Sequence, residues 1–314
     1  MGVSITCGND MDRKLSAFLA VARVGNLTVA AESIGLTQPA LTKTIRRLEQ
    51  EVGAALFLRS PRGMALTEMG ELFFTHARAI ETHWAQAKEE AHARAGGMLA
   101  EFRVAAGAAY HPRIVPLLVR RLAAEFPDTS FVVDFDVAGQ SLPRLHAGEL
   151  HLLLGAFVQE VPEGLVTKKL IDVEVSAICG RDDPLARMPR VRPEDLRDRR
   201  WVIYRRDAYL RERLMEYFIR NQLPAPRVVM EIDSLAATME LVTGTPYLSA
   251  APTTIIGAPE SRGLALPRLE EPLWTFPSGA WMRRSTLEYP VLRRALAILR
   301  ELTAIPSRAR RTAG

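Results

Sequence analysis

Leu36-Thr-Gln-Pro-Ala-Leu-Thr-Lys-Thr-Ile-Arg-Arg-Leu48 is the stretch that says most about this 314-residue chain. Thr37 stands just before a helical pattern and carries the hydroxyl that an N-cap needs, a contribution of about 1 kcal/mol. Pro39 falls in the first turn, where its missing N–H costs little. Leu41, Ile45 and Leu48 recur at steps of four and three, so they share one face of a 3.6-residue helix. That register turns Gln38, Thr42, Lys43 and Arg46 outward. A short helix of this kind is anchored on one side and offers an amide, a hydroxyl and cations on the other.

Upstream, Leu15, Phe18, Leu19 and Ala22 predict a first helix that ends at Gly25 and Asn26. Thr28 is the expected cap of a second, whose inward residues are Ala30, Ala31 and Ile34, and Gly35 supplies the tight turn into Leu36. Two helices joined by so short a turn form a helix-turn-helix, whose second helix enters the major groove of DNA. Downstream, Gly53 stops the helix. Residues 56–58 and 64–66 predict a hairpin, and its tip Ser60-Pro-Arg-Gly63 makes a basic wing. From Arg13 to Leu66 eight Lys and Arg residues face three acids, an excess equal to the net charge of +5 on the whole chain. Charge concentrated in this way fits a polyanion. By donor and acceptor pattern, Gln38 matches an adenine edge and Lys43 or Arg46 a guanine edge. Pro39 suits a thymine methyl and Thr42 a base or phosphate, while Arg47, Arg59 and Arg62 suit phosphates. Thr28 and Thr37 complete the expected contact set.

Thr67 caps the next helix, with Glu68 in its favourable first turn. Met69, Phe73, Ala77, Ile80, Trp84, Ala87 and Ala91 follow at steps of four and three, and no Gly or Pro intervenes between Gly70 and Gly96. A solitary helix of this length needs a partner for its apolar stripe. The simplest partner is a second copy, with Phe73, Ala77, Ile80 and Trp84 as the dimerisation positions and Gly96-Gly97 as the hinge beyond. From Phe102 onward the texture changes. Strand-like runs at 102–106, 131–137, 150–154, 173–179, 201–204, 228–232, 247–250 and 279–283 alternate with helical runs at 111–126, 142–147, 210–221, 234–243 and 291–303. Alternation implies a mostly parallel sheet with helices on its faces, and the pattern restarts once, giving two α/β lobes about a cleft. The domain reading is 12–66 for the winged helix-turn-helix, 67–96 for a linker helix, 102–305 for the lobes and 306–314 for a tail. Lobe I takes about 102–170 and 276–305, and lobe II about 171–275.

The ordered set Phe18-Leu-Ala-Val-Ala, Asn26-Leu-Thr, Ala30-Ala-Glu, Leu36-Thr-Gln-Pro-Ala-Leu-Thr-Lys, Arg47-Leu-Glu, Leu56-Phe-Leu-Arg and Leu66-Thr-Glu-Met-Gly resembles the LysR-type transcriptional regulators. Looser echoes are Leu145-His-Ala-Gly-Glu-Leu, Asp183-Pro-Leu, Leu241-Val-Thr-Gly and Pro290 onward. The resemblance implies a multidomain α/β chain, with a winged helix-turn-helix and linker helix before a two-lobed effector domain of the periplasmic-binding-protein-like kind. It implies sequence-specific binding to a partly palindromic operator, contact with RNA polymerase, a homodimer or homotetramer, and control by a small-molecule effector. It places Gln38, Pro39, Thr42, Lys43 and Arg62 on the family's DNA-contacting positions. It also places the walls of the effector cleft at Gly107-Ala108-Ala109-Tyr110-His111, the segment Tyr204 to Tyr209, Asp233-Ser234, and Pro252 to Thr254, Thr253 included. A helix start such as Ser234 suits a carboxylate or other anion. The first loop argues the other way, because it lacks the Ser or Thr that the family often carries there. Tyr110, His111, Arg205 and Arg206 are the residues that would replace those hydroxyls.

Rival chemistries find little in the sequence. It contains no G-x-S-x-G elbow, Walker loop or G-x-G-x-x-G, so neither a catalytic residue nor a cofactor is expected. Asp182-Asp183 and Glu89-Glu90 read as surface pairs. His146 and His151 bracket Glu149, and His76, His83 and His92 punctuate the long helix, but neither set has metal-ligand spacing. A solute-binding protein shares the two-lobed plan, yet Met1 to Lys14 lacks the order of a secretory signal, and Met11 is an alternative start. Two cysteines, Cys7 and Cys179, fit a reducing cytoplasm, and no apolar run is long enough to span a membrane.

Overall fold

The computed structural model describes residues 13–60, 63–94, 99–135, 138–157, 160–205, 207–258 and 261–304. The chain divides into two compact units, Met1–Ala91 and His92–Gly314. Arg62 at the expected wing tip, the Gly96-Gly97 hinge, Arg206 and the tail lie outside the described residues.

The first unit holds α1 (Arg13–Val24), α2 (Leu27–Ser33), α3 (Gln38–Val52), β1 (Phe57–Ser60), β2 (Gly63–Leu66) and α4 (Glu68–Arg94). Asn26, not Thr28, caps α2. Its side-chain oxygen accepts from the Thr28 and Val29 N–H groups at 2.9 and 3.2 Å, so Thr28 lies inside the first turn. Asn ranks above Thr as a cap, and it already sits in extended backbone two residues earlier. Phe18 centres the core, with the Phe73 ring edge-on at 4.9 Å and the Phe57 ring at 5.2 Å. Leu41, Ile45 and Leu48 pack into the same cluster from α3. The N-terminal half of α4 covers this core, which corrects the reading of its stripe. Ala77 is 1% exposed and Phe73 is half-buried, both against their own chain, so neither is free for a second copy. Ile80 and Trp84 remain exposed, as do Met69 and Leu72. Close packing here depends on Gly70, since a Cβ at that position would sit 2.1 Å from the Leu56 carbonyl oxygen. β1 and β2 pair antiparallel with Arg59 opposite Met64, and the Met64 N–H donates to the Gly25 carbonyl at 2.7 Å. That bond ties the wing to the turn after α1.

The second unit contains β3 (Glu101–Ala106), α5 (Ile114–Glu125), β4 (Ser130–Phe135), α6 (Ala138–His146), β5 (Leu152–Ala156) and β6 (Leu165–Gly180). It continues with α7 (Pro184–Arg187), β7 (Arg200–Tyr204), α8 (Ala208–Arg220), β8 (Arg227–Ile232), α9 (Leu235–Val242), β9 (Tyr247–Pro252), β10 (Leu264–Ala265), β11 (Trp274–Arg283) and α10 (Pro290–Ala304). The strand order is β4-β3-β5-β11-β6-β9-β7-β8, with β10 on β6. Parallel triplets, β4-β3-β5 and β8-β7-β9, form the two ends. β11 and β6 join them and run antiparallel to each other and to their outer neighbours, so the parallel expectation holds only within each half. β6 is 16 residues long. Its first half reads poorly as a strand because Lys168, Lys169 and Asp172 interrupt the apolar pattern, yet it pairs continuously with β11 from Leu165 opposite Arg283 onward. The register shifts between Ser278 and Gly279, where a Cβ on Gly279 would meet the Lys168 carbonyl oxygen at 2.1 Å.

Two polar residues depart from their sequence reading or gain a structural role. Asp182 is exposed, but Asp183 is buried rather than on the surface. It accepts from the Leu185 N–H at 2.9 Å as the cap of α7 and pairs with Arg199. His151 is also buried, stacked on Phe102, and its Nδ1 accepts from the Arg103 N–H at 2.9 Å.

Candidate nucleic-acid interface and ligand cavity

The exposed face of α3 follows from its cap and its core register. The Thr37 hydroxyl accepts from the Ala40 N–H at 3.4 Å, and burial of Leu41, Ile45 and Leu48 leaves Gln38, Pro39, Lys43, Arg46 and Arg47 exposed and Thr42 half-buried. The Thr42 hydroxyl donates to the Gln38 carbonyl at 2.9 Å, which keeps its lone pairs outward. Elsewhere in this unit Lys14 pairs with Glu51 and Arg23 with Glu81. Lys43, Arg46 and Arg47 have no ion-pair partner among the described residues. Glu49, their acidic neighbour, is turned into the fold, where it accepts from the Leu56 and Phe57 N–H groups at 2.9 and 3.2 Å. Residues three and four apart on a helix are surface neighbours, so the three cations form one patch.

In the second unit a cavity of about 360 Å³ opens at the carboxyl ends of the parallel strands, within the range of small-molecule sites. Phe135 ends β4, Ala156 ends β5, Tyr204 ends β7 and Pro252 ends β9, and all four line it. Of the residues named from sequence, Gly107, Ala108, Ala109, Tyr110, Tyr204, Asp207, Tyr209 and Pro252 are on the wall; His111, Arg205, Asp233, Ser234, Thr253 and Thr254 are not. The His111 ring stands edge-on to Phe135 at 5.2 Å. Arg205 is exposed and reaches Asp233 at 3.5 Å. The Ser234 hydroxyl caps α9 by accepting from the Ala237 N–H at 3.3 Å. Thr253 opens a short 3-10 turn, and its neighbour Thr254 donates to the Ala109 carbonyl at 3.0 Å. Sequence reasoning missed Phe135, Met239, Ser249, Trp274, Phe276 and Ser278 on the wall. The strand-end rule was the available signal for Phe135; the rest depend on how β11, α8 and α9 pack.

Two ionisable groups on the wall are displaced from their ordinary behaviour. Tyr110 is buried and donates to the Ser278 hydroxyl at 3.0 Å, which donates in turn to the Gly155 carbonyl at 2.7 Å. Burial pushes its phenol above the usual range. Burial also pushes the Asp207 carboxyl up, opposed by its bond from the Leu210 N–H at 2.9 Å at the start of α8. Among the described residues no cluster of His, Cys, Asp and Glu has the make-up of a metal site, and no helix is long and apolar enough to cross a membrane.

A family model described as the bacterial regulatory helix-turn-helix protein of the lysR family matches residues 13–71, and one described as the LysR substrate binding domain matches residues 95–304. The chain belongs to the LysR family. This LysR-family protein is a DNA-binding transcriptional regulator with an effector-binding domain. It is 36% identical to the small neutral protease regulatory protein of Streptomyces coelicolor over 61% of this chain and 62% of that one, so the match spans less than two thirds of either. It is 22% identical to the transcriptional activator IlvY of Haemophilus influenzae over 91% of this chain and 98% of the relative. Among solved structures, full-length CbnR complexed with its target DNA superposes with a TM-score of 0.69 at 22% identity, covering 93% of this chain and 99% of that one. The fold of that structure is thus shared over most of the chain.

Proposed function

We propose that α3 of this LysR regulator reads operator DNA and that the cavity at the strand ends holds the small molecule that modulates the complex. One observation carries the first half. Lys43, Arg46 and Arg47 stand unneutralised on a helix whose other face is anchored by Leu41, Ile45 and Leu48. Gln38, Lys43 and Arg46 contact base edges, Pro39 a thymine methyl, and Thr42 either a base or a phosphate. Arg47, with Arg59 and Arg62 of the wing, holds phosphates, and Thr28 and Thr37 serve the backbone beside the helix starts. Two copies pair through α4, using Ile80 and Trp84 with Met69 and Leu72, and present their α3 helices to successive major grooves roughly 34–36 Å apart. Pairs of dimers form a tetramer that contacts RNA polymerase in the cytoplasm, acting as a regulator rather than an enzyme and without a cofactor. The effector binds two arrangements of the assembly with different affinity, since otherwise it shifts nothing.

Fluorescence anisotropy on the DNA upstream of the protein's own gene, against a shuffled duplex and over a salt series, tests the reading. Selective binding that weakens steeply with salt is expected. Equal affinity for both duplexes, or none at low salt, overturns it.

A further inference from the structure

We propose that the cavity selects a largely apolar molecule that carries a hydrogen-bond donor and no negative charge, with Asp207 as the acceptor that orients it. This rests on reading the cavity as the effector site. Phe135, Tyr209, Met239, Trp274 and Phe276 make the wall mainly apolar, and no described residue on it is a cation. Two described cations that stand near its loops in sequence are engaged elsewhere. Arg205 faces Asp233, and Arg113 donates to the Ile256 carbonyl at 3.3 Å.

The helix starts do not serve an anion either. Asp207 occupies the first turn of α8 through the Leu210 N–H, and Ser234 occupies that of α9 through the Ala237 N–H. The positive end of the α8 dipole thus already faces a carboxylate of the chain itself. A ligand carboxylate here would bring like charges together in a poorly solvated pocket, which disfavours it strongly.

Three polar groups are left for a ligand. The Trp274 Nε1–H on the wall is buried without a partner among the described residues, so it offers a donor to a ligand oxygen. One Asp207 oxygen accepts from Leu210, and the other makes no hydrogen bond among the described residues. Ser249 is 1% exposed, lines the cavity, and its hydroxyl has no partner among the described residues. That hydroxyl opens on the cavity, where a ligand polar group can pair with it. Three other wall hydroxyls are taken, Tyr110 by Ser278, Ser278 by Gly155, and Thr238 by the Ser234 carbonyl at 2.9 Å. Burial raises the proton affinity of Asp207, whose carboxylate has no ion-pair partner among the described residues; a ligand ammonium or hydroxyl would supply one.

A matched series tests the class on the full-length protein: 2-phenylethylamine, 2-phenylethanol and 3-phenylpropanoate, with their naphthyl analogues, followed by calorimetric titration and thermal shift. The amine and alcohol are expected to bind at least about tenfold more tightly than the carboxylate, a difference of about 1.4 kcal/mol. Asp207→Asn keeps a competent helix cap and should remove the advantage of the amine over the alcohol. Ala108→Trp, at a half-buried loop position on the wall, should weaken every ligand. A carboxylate preference overturns the inference but leaves the cavity as the site, and its loss in Arg206→Ala would assign the anion to that residue. Binding that survives Ala108→Trp unchanged overturns the cavity reading as well. Failure of every member of the series to bind also overturns the inference.

Discussion

The α3 face and the cavity of the second unit treat charge in opposite ways. On α3 the cations Lys43, Arg46 and Arg47 stand in solvent with no carboxylate partner among the described residues, and the neighbouring acid Glu49 is drawn into the fold. On the cavity wall no described residue is a cation, and the one carboxylate present, Asp207, is held partly dry. A surface of the first kind gains affinity by releasing counterions from a polyanion, so salt weakens it. A pocket of the second kind gains affinity by removing apolar area from water, at about 25 cal/mol per Å², and salt hardly affects it. The two also differ in assembly. A single continuous segment makes the α3 face, whereas the cavity gathers residues from Gly107 to Ser278.

The largest effects that would break this comparison come from two glycines. A Cβ at Gly70 or at Gly279 would lie 2.1 Å from a backbone oxygen, that of Leu56 or Lys168. Ala in place of Gly70 gains about 1 kcal/mol of helix propensity, but a backbone overlap this close outweighs it, and a net loss of about 3 kcal/mol is expected. Gly70→Ala should lower the unfolding transition of the first unit and abolish operator binding while leaving the second transition in place. Gly279→Ala should do the reverse. Differential scanning calorimetry resolves the two, and a common shift in both variants would mean that the units do not unfold independently.

Next in size is the contrast within the α3 patch. Arg46→Ala should cost about 1–3 kcal/mol on operator and relax selectivity at one base position. Arg47→Ala should weaken operator and shuffled DNA alike and reduce the salt slope by about one. Anisotropy titrations at several salt concentrations separate the two behaviours; reversed results would exchange the reader and the phosphate clamp. Trp84→Glu places a charge on the exposed stripe of α4 and should yield monomers in sedimentation velocity, whereas Phe73→Ala should destabilise the first unit by about 1–2 kcal/mol, because the half-buried Phe73 packs on Phe18. An intact oligomer in Trp84→Glu would remove the stripe from the interface.

What was legible in the sequence follows the same divide. The helix-turn-helix was readable because its cap, turn and three-residue anchor are local, and the ordered motifs pointed to the family. Even there the cap of α2 was misplaced. Asn26 and Thr28 both carry capping side chains, and only the backbone shows that Asn26 is the extended one. The α4 stripe looked continuous, but spacing alone does not say which helix face covers its own domain, so Phe73 and Ala77 read as interface. In the second unit the alternation of strands and helices was legible, while the antiparallel pair β6 and β11 was not, since pairing direction is set by partners a hundred residues away. The cavity wall was half legible. The loop from Gly107 and the end of β7 were named, but Trp274, Phe276 and Ser278 enter only through the register of β11. Asn26→Ala should therefore cost about 1 kcal/mol and Thr28→Ala almost nothing in stability, a difference that chemical denaturation can read.

The smallest expected effects are two opposite pH dependences within the second unit. Glu125 is hydrogen-bonded to Arg294, which holds its carboxyl below the usual range. Its folded state favours the ionised form, so its contribution is present above the ordinary glutamate value and is lost as pH falls through the lowered one. Screening at this exposed site keeps it small. Asp207 has the reverse sign. Burial raises its folded value, so between the ordinary aspartate range and that raised value the folded state holds a proton that the unfolded chain has released. Stability then falls as pH rises through that window. Asp207→Asn should remove the falling limb and Glu125→Gln the rising one in the pH profile of the second transition. A protonated amine in the cavity would hold Asp207 ionised and lower its folded value, so adding 2-phenylethylamine should flatten the falling limb in the wild-type chain, while 3-phenylpropanoate should leave it unchanged. If the limb persists in Asp207→Asn, its proton belongs to another group, and the electrostatic contrast between cavity and α3 rests on apolar area alone.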